Sequence, residues 1–147
     1  MKALIHGEYS IMTNINSEIN NVDCSPEQVF EFLCDFNNFE KLLPDQISNW
    51  KASKETCSFT IKNMGDLELK IARRVEFSMV TYEATGRAPF PFSLNFKIDQ
   101  RAQFSTTQVL FVADLPTFIE LMAKSPLTHF VGTLNSKLKE TLEKESE

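Results

Sequence analysis

Cys57-Ser58-Phe59-Thr60-Ile61-Lys62-Asn63-Met64-Gly65-Asp66-Leu67-Glu68-Leu69-Lys70-Ile71 sets the architecture of this protein. Cys57, Phe59 and Ile61 alternate with Ser58, Thr60 and Lys62, and Leu67, Leu69 and Ile71 alternate with Glu68 and Lys70. A side-chain period of two puts the apolar residues of each segment on one face. Joined by the turn residues Asn63-Met64-Gly65-Asp66, the two segments read as antiparallel strands with one wet and one dry side.

The period of two runs on through Val80, Tyr82 and Ala84, then Phe92, Leu94, Phe96 and Ile98, then Val109, Phe111 and Ala113. These five segments fall within residues 46–114, which are expected to hold six strands in all. Upstream, residues 14–22 are polar with spaced Ile and Val and read as a first strand. Ser25-Pro26-Glu27-Gln28 follows: an N-cap serine, a proline at the first helical position and a glutamine that closes a capping box. Val29, Phe30, Leu33 and Phe36 continue at helical spacing, so the helix is expected to end near Asp35. Asn37 or Asn38 is placed to cap a second short helix carrying Phe39, Leu42 and Leu43, which Pro44 stops.

Beyond the strands, Leu115, Phe118, Ile119 and Met122 share a helical face, and Ser125-Pro126 reads as a break with a fresh cap. Leu127, Phe130, Val131, Leu134, Leu138 and Leu142 then carry an apolar stripe to the end. The order is strand, two short helices, six strands and a long helix. The class is α+β, with about seven strands in an antiparallel sheet. Residues 12–147 are read as one domain, with 1–11 as an N-terminal extension.

The chain has 147 residues, enough for one core that removes about two-thirds of the unfolded surface from water. Its 13 phenylalanines mean either a dense interior or a cavity walled by rings. A net charge of -5, with no basic stripe, argues against nucleic acid as a partner. Cys24, Cys34 and Cys57 form no close pair and read as core residues of a cytoplasmic protein. No apolar run reaches the roughly 20 residues of a membrane span. Metal binding is not expected, because His6 and His129 are the only histidines and His6 lies in the extension. No cofactor-binding loop is present: Gly7, Gly65, Gly86 and Gly132 are scattered.

Several segments together resemble the START-like superfamily, also called SRPBCC, which includes the birch pollen allergen, polyketide cyclases and coenzyme-Q-binding proteins. They are Ser25-Pro26-Glu27-Gln28-Val29-Phe30, Phe36-Asn37-Asn38-Phe39, Ser58-Phe59-Thr60-Ile61, Gly65-Asp66-Leu67, Ala113-Asp114-Leu115 and the terminal amphipathic helix. The resemblance covers about residues 12–146 and is greatest to small bacterial proteins made of this domain alone. It implies a helix-grip fold, a curved sheet wrapped around the C-terminal helix, with a cavity between them. The implied cavity wall is Phe59, Leu69, Tyr82, Leu94, Phe96 and Phe111 from the sheet and Met122 and Phe130 from the helix. The competing expectation is that these side chains simply fill the interior.

Two polar residues fall on the apolar side by parity. Tyr82 shares the face of Val80 and Ala84, and Arg73 continues the face of Leu67, Leu69 and Ile71 unless a bulge turns it outward. Either is placed to anchor a ligand's polar end. No acid–base pair stands on that face, since Glu83 and Asp99 fall on the other, and no catalytic residue is assigned. The expected role is binding or carriage of a hydrophobic small molecule by a monomer or homodimer. Entry is expected near Pro44, Gly86–Pro91 and Ser125-Pro126. The alternatives are a cyclase- or dehydratase-type enzyme, or a co-chaperone-like interaction module presenting Phe90 between Pro89 and Pro91.

Overall fold

The computed structural model describes residues 2–5, 8–45, 47–62, 65–86, 88 and 90–145, with side chains from Met12 onward. The first elements are β1 (Lys2–Ile5), β2 (Glu8–Asn16), β3 (Asn20–Val22), α1 (Pro26–Leu33) and a 3-10 helix (Phe36–Leu42). Then come β4 (Ile47–Ala52), β5 (Thr56–Ile61), β6 (Gly65–Val75), β7 (Met79–Thr85), β8 (Phe92–Arg101), β9 (Phe104–Pro116) and α2 (Thr117–Glu145). The strands form one antiparallel sheet in the order β1-β2-β9-β8-β7-β6-β5-β4, with β3 also paired to β9. This is the expected α+β helix-grip architecture.

Alternation does most of the sorting. Phe92, Leu94, Phe96 and Ile98 of β8 and Val109, Phe111, Ala113 and Leu115 of β9 are all buried. The registers pair Leu94 with both Tyr82 and Phe111, so neighbouring strands contribute to one continuous inner face. The hairpin of β5 and β6 pairs Phe59 with Leu67 and Cys57 with Leu69. Of its expected turn, Asn63 and Met64 lie outside the described residues.

The first strand differs from its reading. Residues 14–22 are not one continuous strand: β2 pairs with residues 110–116 of β9 and β3 with residues 105–107, and a corner at 17–19 separates them. Ser17 makes the corner tolerable, because its backbone N–H donates to the Val109 carbonyl at 2.8 Å and its hydroxyl accepts from the Val109 N–H at 2.9 Å. The ladder is thus completed by a side chain where the backbone turns away. The expected boundary at residue 12 falls inside β2, whose Ser10 pairs with Pro116.

The capping box at α1 forms as read. The Gln28 N–H donates to the Ser25 hydroxyl, and the Ser25 N–H donates to the Gln28 side chain at 3.0 Å. The next helix is capped earlier than expected. Asp35, not Asn37 or Asn38, accepts from the Asn37 N–H at 2.9 Å.

The C-terminal helix corrects two readings. Leu115 belongs to β9, and α2 runs unbroken through Pro126. Proline removes only its own N–H from the helical ladder, and the Thr128 hydroxyl donates to the carbonyl of Lys124 at 2.7 Å alongside the gap. The buried residues of α2 are Leu127, Val131, Leu134, Asn135, Leu138 and Leu142, so its grip on the sheet starts only after the proline.

Candidate functional site

The interior divides into two aromatic groups. In the first, Phe36 and Phe39 of the 3-10 helix lie on the inner face of the sheet. Ring centroids are 4.4 Å apart for Phe36–Tyr82, 5.1 Å for Phe39–Tyr82, 5.1 Å for Tyr82–Phe96 and 6.4 Å for Phe39–Phe59. These are ordinary packed-ring distances. Phe59, Leu69, Tyr82, Leu94 and Phe96 are each at most 3 % exposed. Their principal aromatic cover is this short helix rather than the C-terminal helix expected to face them.

Tyr82 is fully buried, and its hydroxyl donates to the Leu33 carbonyl at 2.6 Å. That carbonyl ends α1 without a helical partner, so the phenol caps the last turn of the helix in place of a backbone donor. Burial raises the phenol pKa well above its ordinary value, and the negative charges that Cys57 and Cys34 would carry push the same way. Tyr82 therefore holds two elements together rather than pointing a free hydroxyl at a guest.

Arg73 is exposed. The registers pair Ile71 with Tyr82 but Arg73 with Thr81, so a bulge at Ala72 reverses the parity. Arg74 takes the inner side instead, opposite Val80. Its guanidinium donates to both Glu55 oxygens, at 2.6 and 2.7 Å, and that pair raises its pKa. Cys34 lies beside it, half-buried rather than in the core, while Cys24 and Cys57 are buried. Burial pushes the Cys57 thiol up to about 12.

The second aromatic group lies at the end of the sheet from which α2 departs. Phe92 stacks on Phe111 at 5.4 Å and meets Phe90 at 5.7 Å. Phe90 is buried, so it does not offer the exposed patch that the interaction-module alternative needs; Arg87 and Pro89 beside it lie outside the described residues. Ile119, Ala123 and Phe130 pack against the core from α2 but remain only partly buried. Met122 does not join them: at 76 % exposure it faces away from the sheet, because the buried row Leu127–Val131–Leu134–Leu138 fixes the opposite helical face as the inner one. Residues 117–126 contain no buried side chain.

One residue that the pattern did not flag is Asn135, buried at 1 %. Its amide accepts from the Thr107 hydroxyl at 2.8 Å and donates to the carbonyls of Glu18 at 2.9 Å and Thr107 at 3.1 Å. Its position among Val131, Leu134 and Leu138 was the available signal: a polar residue on an apolar stripe needs buried partners. It borders an open polar groove of about 550 Å³ that also includes Glu18, His129, Thr133 and Ser136. His129 is exposed there, while His6 lies outside the described residues. Among the described residues no helix is long and apolar enough to cross a membrane.

No protein-family model and no curated protein matches the sequence. Solved structures do match in shape. A point mutant of norcoclaurine synthase from Thalictrum flavum, in complex with a transition-state analogue, superposes with a TM-score of 0.75 at 8% identity over 94% of this protein and 98% of that one. A conserved protein from Geobacillus kaustophilus gives 0.71 at 9% identity over 90% and 97% of the two chains. The Aha1 dimer from Colwellia psychrerythraea gives 0.58 at 16% identity over 86% and 96%. The protein therefore shares the helix-grip fold of these structures, the fold that the START-like resemblance implies.

Proposed function

We propose that the protein binds and carries a hydrophobic small molecule, of lipid, isoprenoid or polyketide type, at the end of the sheet beneath the first half of α2. The observation that carries this reading is the uneven seating of that helix. From Leu127 onward it is locked into the core, whereas Ile119 and Ala123 are only partly covered and lie on the same side as the Phe90–Phe92–Phe111 group. Pro126 deprives the Met122 carbonyl of its helical donor, so outward bending of the first half is cheapest at this point. A guest entering there meets phenylalanine faces and gains roughly 25 cal/mol per Å² of apolar surface covered, before the costs of ordering. The shared fold of norcoclaurine synthase, captured in complex with a transition-state analogue, supports a ligand-binding use of the architecture.

With Tyr82 engaged by Leu33 and Arg73 outside, the first aromatic group serves as the rigid wall. The guest's polar end is then expected to remain towards the mouth. Cytoplasmic carriage fits the three free cysteines.

The test is a titration with cis-parinaric acid, a polyene fatty acid that fluoresces in apolar surroundings. The wild type is expected to enhance its emission saturably. Ala123→Trp, which adds bulk on the core-facing side of the helix from a partly exposed position, is expected to weaken uptake at least tenfold with the melting temperature little changed. No saturable enhancement by the wild type, or uptake indifferent to Ala123→Trp, would count against the reading.

A further inference from the structure

Given the binding site proposed above, on which this rests, we infer that Glu120 anchors the guest's polar end and selects a protonated amine as its head group. The sheet registers place the anchor. Thr13 of β2 is opposite Ala113 of β9, and Ala113 is opposite Phe92 of β8. In the next inward row, Ile15 is opposite Phe111. Residues two apart on a strand share a face. Thr13, buried at 6 %, therefore stands on the apolar inner face with Ile15, Ala113, Phe92 and Phe111. Its hydroxyl donates to the Glu120 carboxylate at 2.6 Å. Glu120 is half-buried, on the side of α2 that carries Ile119 and Ala123 against the core. A carboxylate is thus held at the rim of the proposed site, two strand spacings, about 10 Å, from the Phe92 row.

That carboxylate lacks a cation. Among the described residues its hydrogen-bond donor is the neutral Thr13 hydroxyl, and no lysine or arginine forms an ion pair with it. Asp114 cannot share the role, because it pairs with the exposed Met12 on the other face of the sheet. The dipole of α2 favours an acidic residue in the first turn at any angle around the axis. The bond to Thr13 is what aims this one at the sheet. A charge drawn partly out of water costs free energy until it is paired. Thr13 occupies Oε2, which leaves Oε1 to accept from a guest. An ammonium supplies three donors and the opposite charge, a hydroxyl one donor and no charge, and a carboxylate no donor and a repulsion. The apolar body then crosses β9 towards Phe111 and Phe92. The fatty-acid probe is held by its chain alone, with its carboxylate turned to water at the mouth.

Displacement of cis-parinaric acid by dodecylamine, dodecanol and dodecanoate reads the preference at about pH 7, where the amine is protonated and the acid ionised. In the wild type the amine is expected to displace the probe at a concentration at least about tenfold below that of the acid, with the alcohol between them. Glu120→Gln keeps an oxygen for Thr13 and the same shape without the charge, and is expected to bring the three competitors together. Glu120→Lys is expected to put the acid ahead of the amine. Glu140→Gln, on an exposed residue of the distant half of α2, changes the net charge equally and is expected to keep the wild-type order. Three competitors of equal strength in the wild type, an order that survives Glu120→Gln or Glu120→Lys, or an equal loss in Glu140→Gln would overturn the anchor while leaving the binding site standing. A wild type that takes up no probe would overturn both.

Discussion

Replacing Tyr82 with Phe removes one oxygen from the middle of the molecule and little else. The ring contacts to Phe36, Phe39 and Phe96 are kept, because Phe has nearly the same shape. What is lost is the hydrogen bond to the Leu33 carbonyl at 2.6 Å, in a place where neither partner reaches water. A buried acceptor left without its donor costs about 1–3 kcal/mol. For a domain of this size each kcal/mol moves the melting temperature by about 2–4 °C, so a drop of about 2–12 °C is expected. Urea denaturation followed by circular dichroism should show a lower midpoint with an unchanged slope, since the surface exposed on unfolding is the same. Uptake of the fatty-acid probe should survive. A stability unchanged within about 0.3 kcal/mol would refute the capping role, and lost uptake with stability intact would show that the hydroxyl serves a guest instead.

Further outcomes follow from the same packing. Asn135→Leu should destabilise the domain by about 2–4 kcal/mol, seen as a lower urea midpoint, because it removes the amide's donations to the Glu18 and Thr107 carbonyls and the acceptor of the buried Thr107 hydroxyl together. Ser25→Ala should cost about 1 kcal/mol by thermal melting, the usual value of an N-cap. Stability should fall at alkaline pH. Cys57 and Tyr82 have raised pKa values in the folded state, so above about pH 9 and then about pH 10 the unfolded state loses protons that the folded state retains. Cys57→Val should flatten the decline in urea midpoint between about pH 9 and 12, and an identical decline in that variant would contradict the assignment.

The legible and illegible parts of the sequence differ in physical kind. Phe59, Leu69, Tyr82, Leu94, Phe96 and Phe111 could be placed on one buried face because alternation is a local property of the strand. Alternation says which face is dry but not what covers it. Phe36 and Phe39 were visible as helical residues, yet only the tertiary arrangement brings them onto Tyr82. Arg73 is turned outward by a bulge of the kind the reading allowed for, one extra residue that reverses parity with no turn residue to announce its position. Met122 failed because the first turns of α2 carry apolar residues on two sides: Ile119 and Ala123 on one, Phe118, Leu121 and Met122 on the other. Only the later row from Leu127 to Leu142 decides between them. Pro126 signals a helix start in isolation, but the packed turns after it hold the backbone helical on both sides. The proposed binding site thus lies in the segment where the local pattern was ambiguous.

Hydrogen exchange along α2, with and without cis-parinaric acid, tests the central claim most directly. In the free protein, amides of residues 117–125 are expected to exchange much faster than those of 131–142, and saturating probe is expected to slow the first set while leaving the second unchanged. Uniform protection along the helix, or a first half that exchanges alike with and without the probe, would contradict the account.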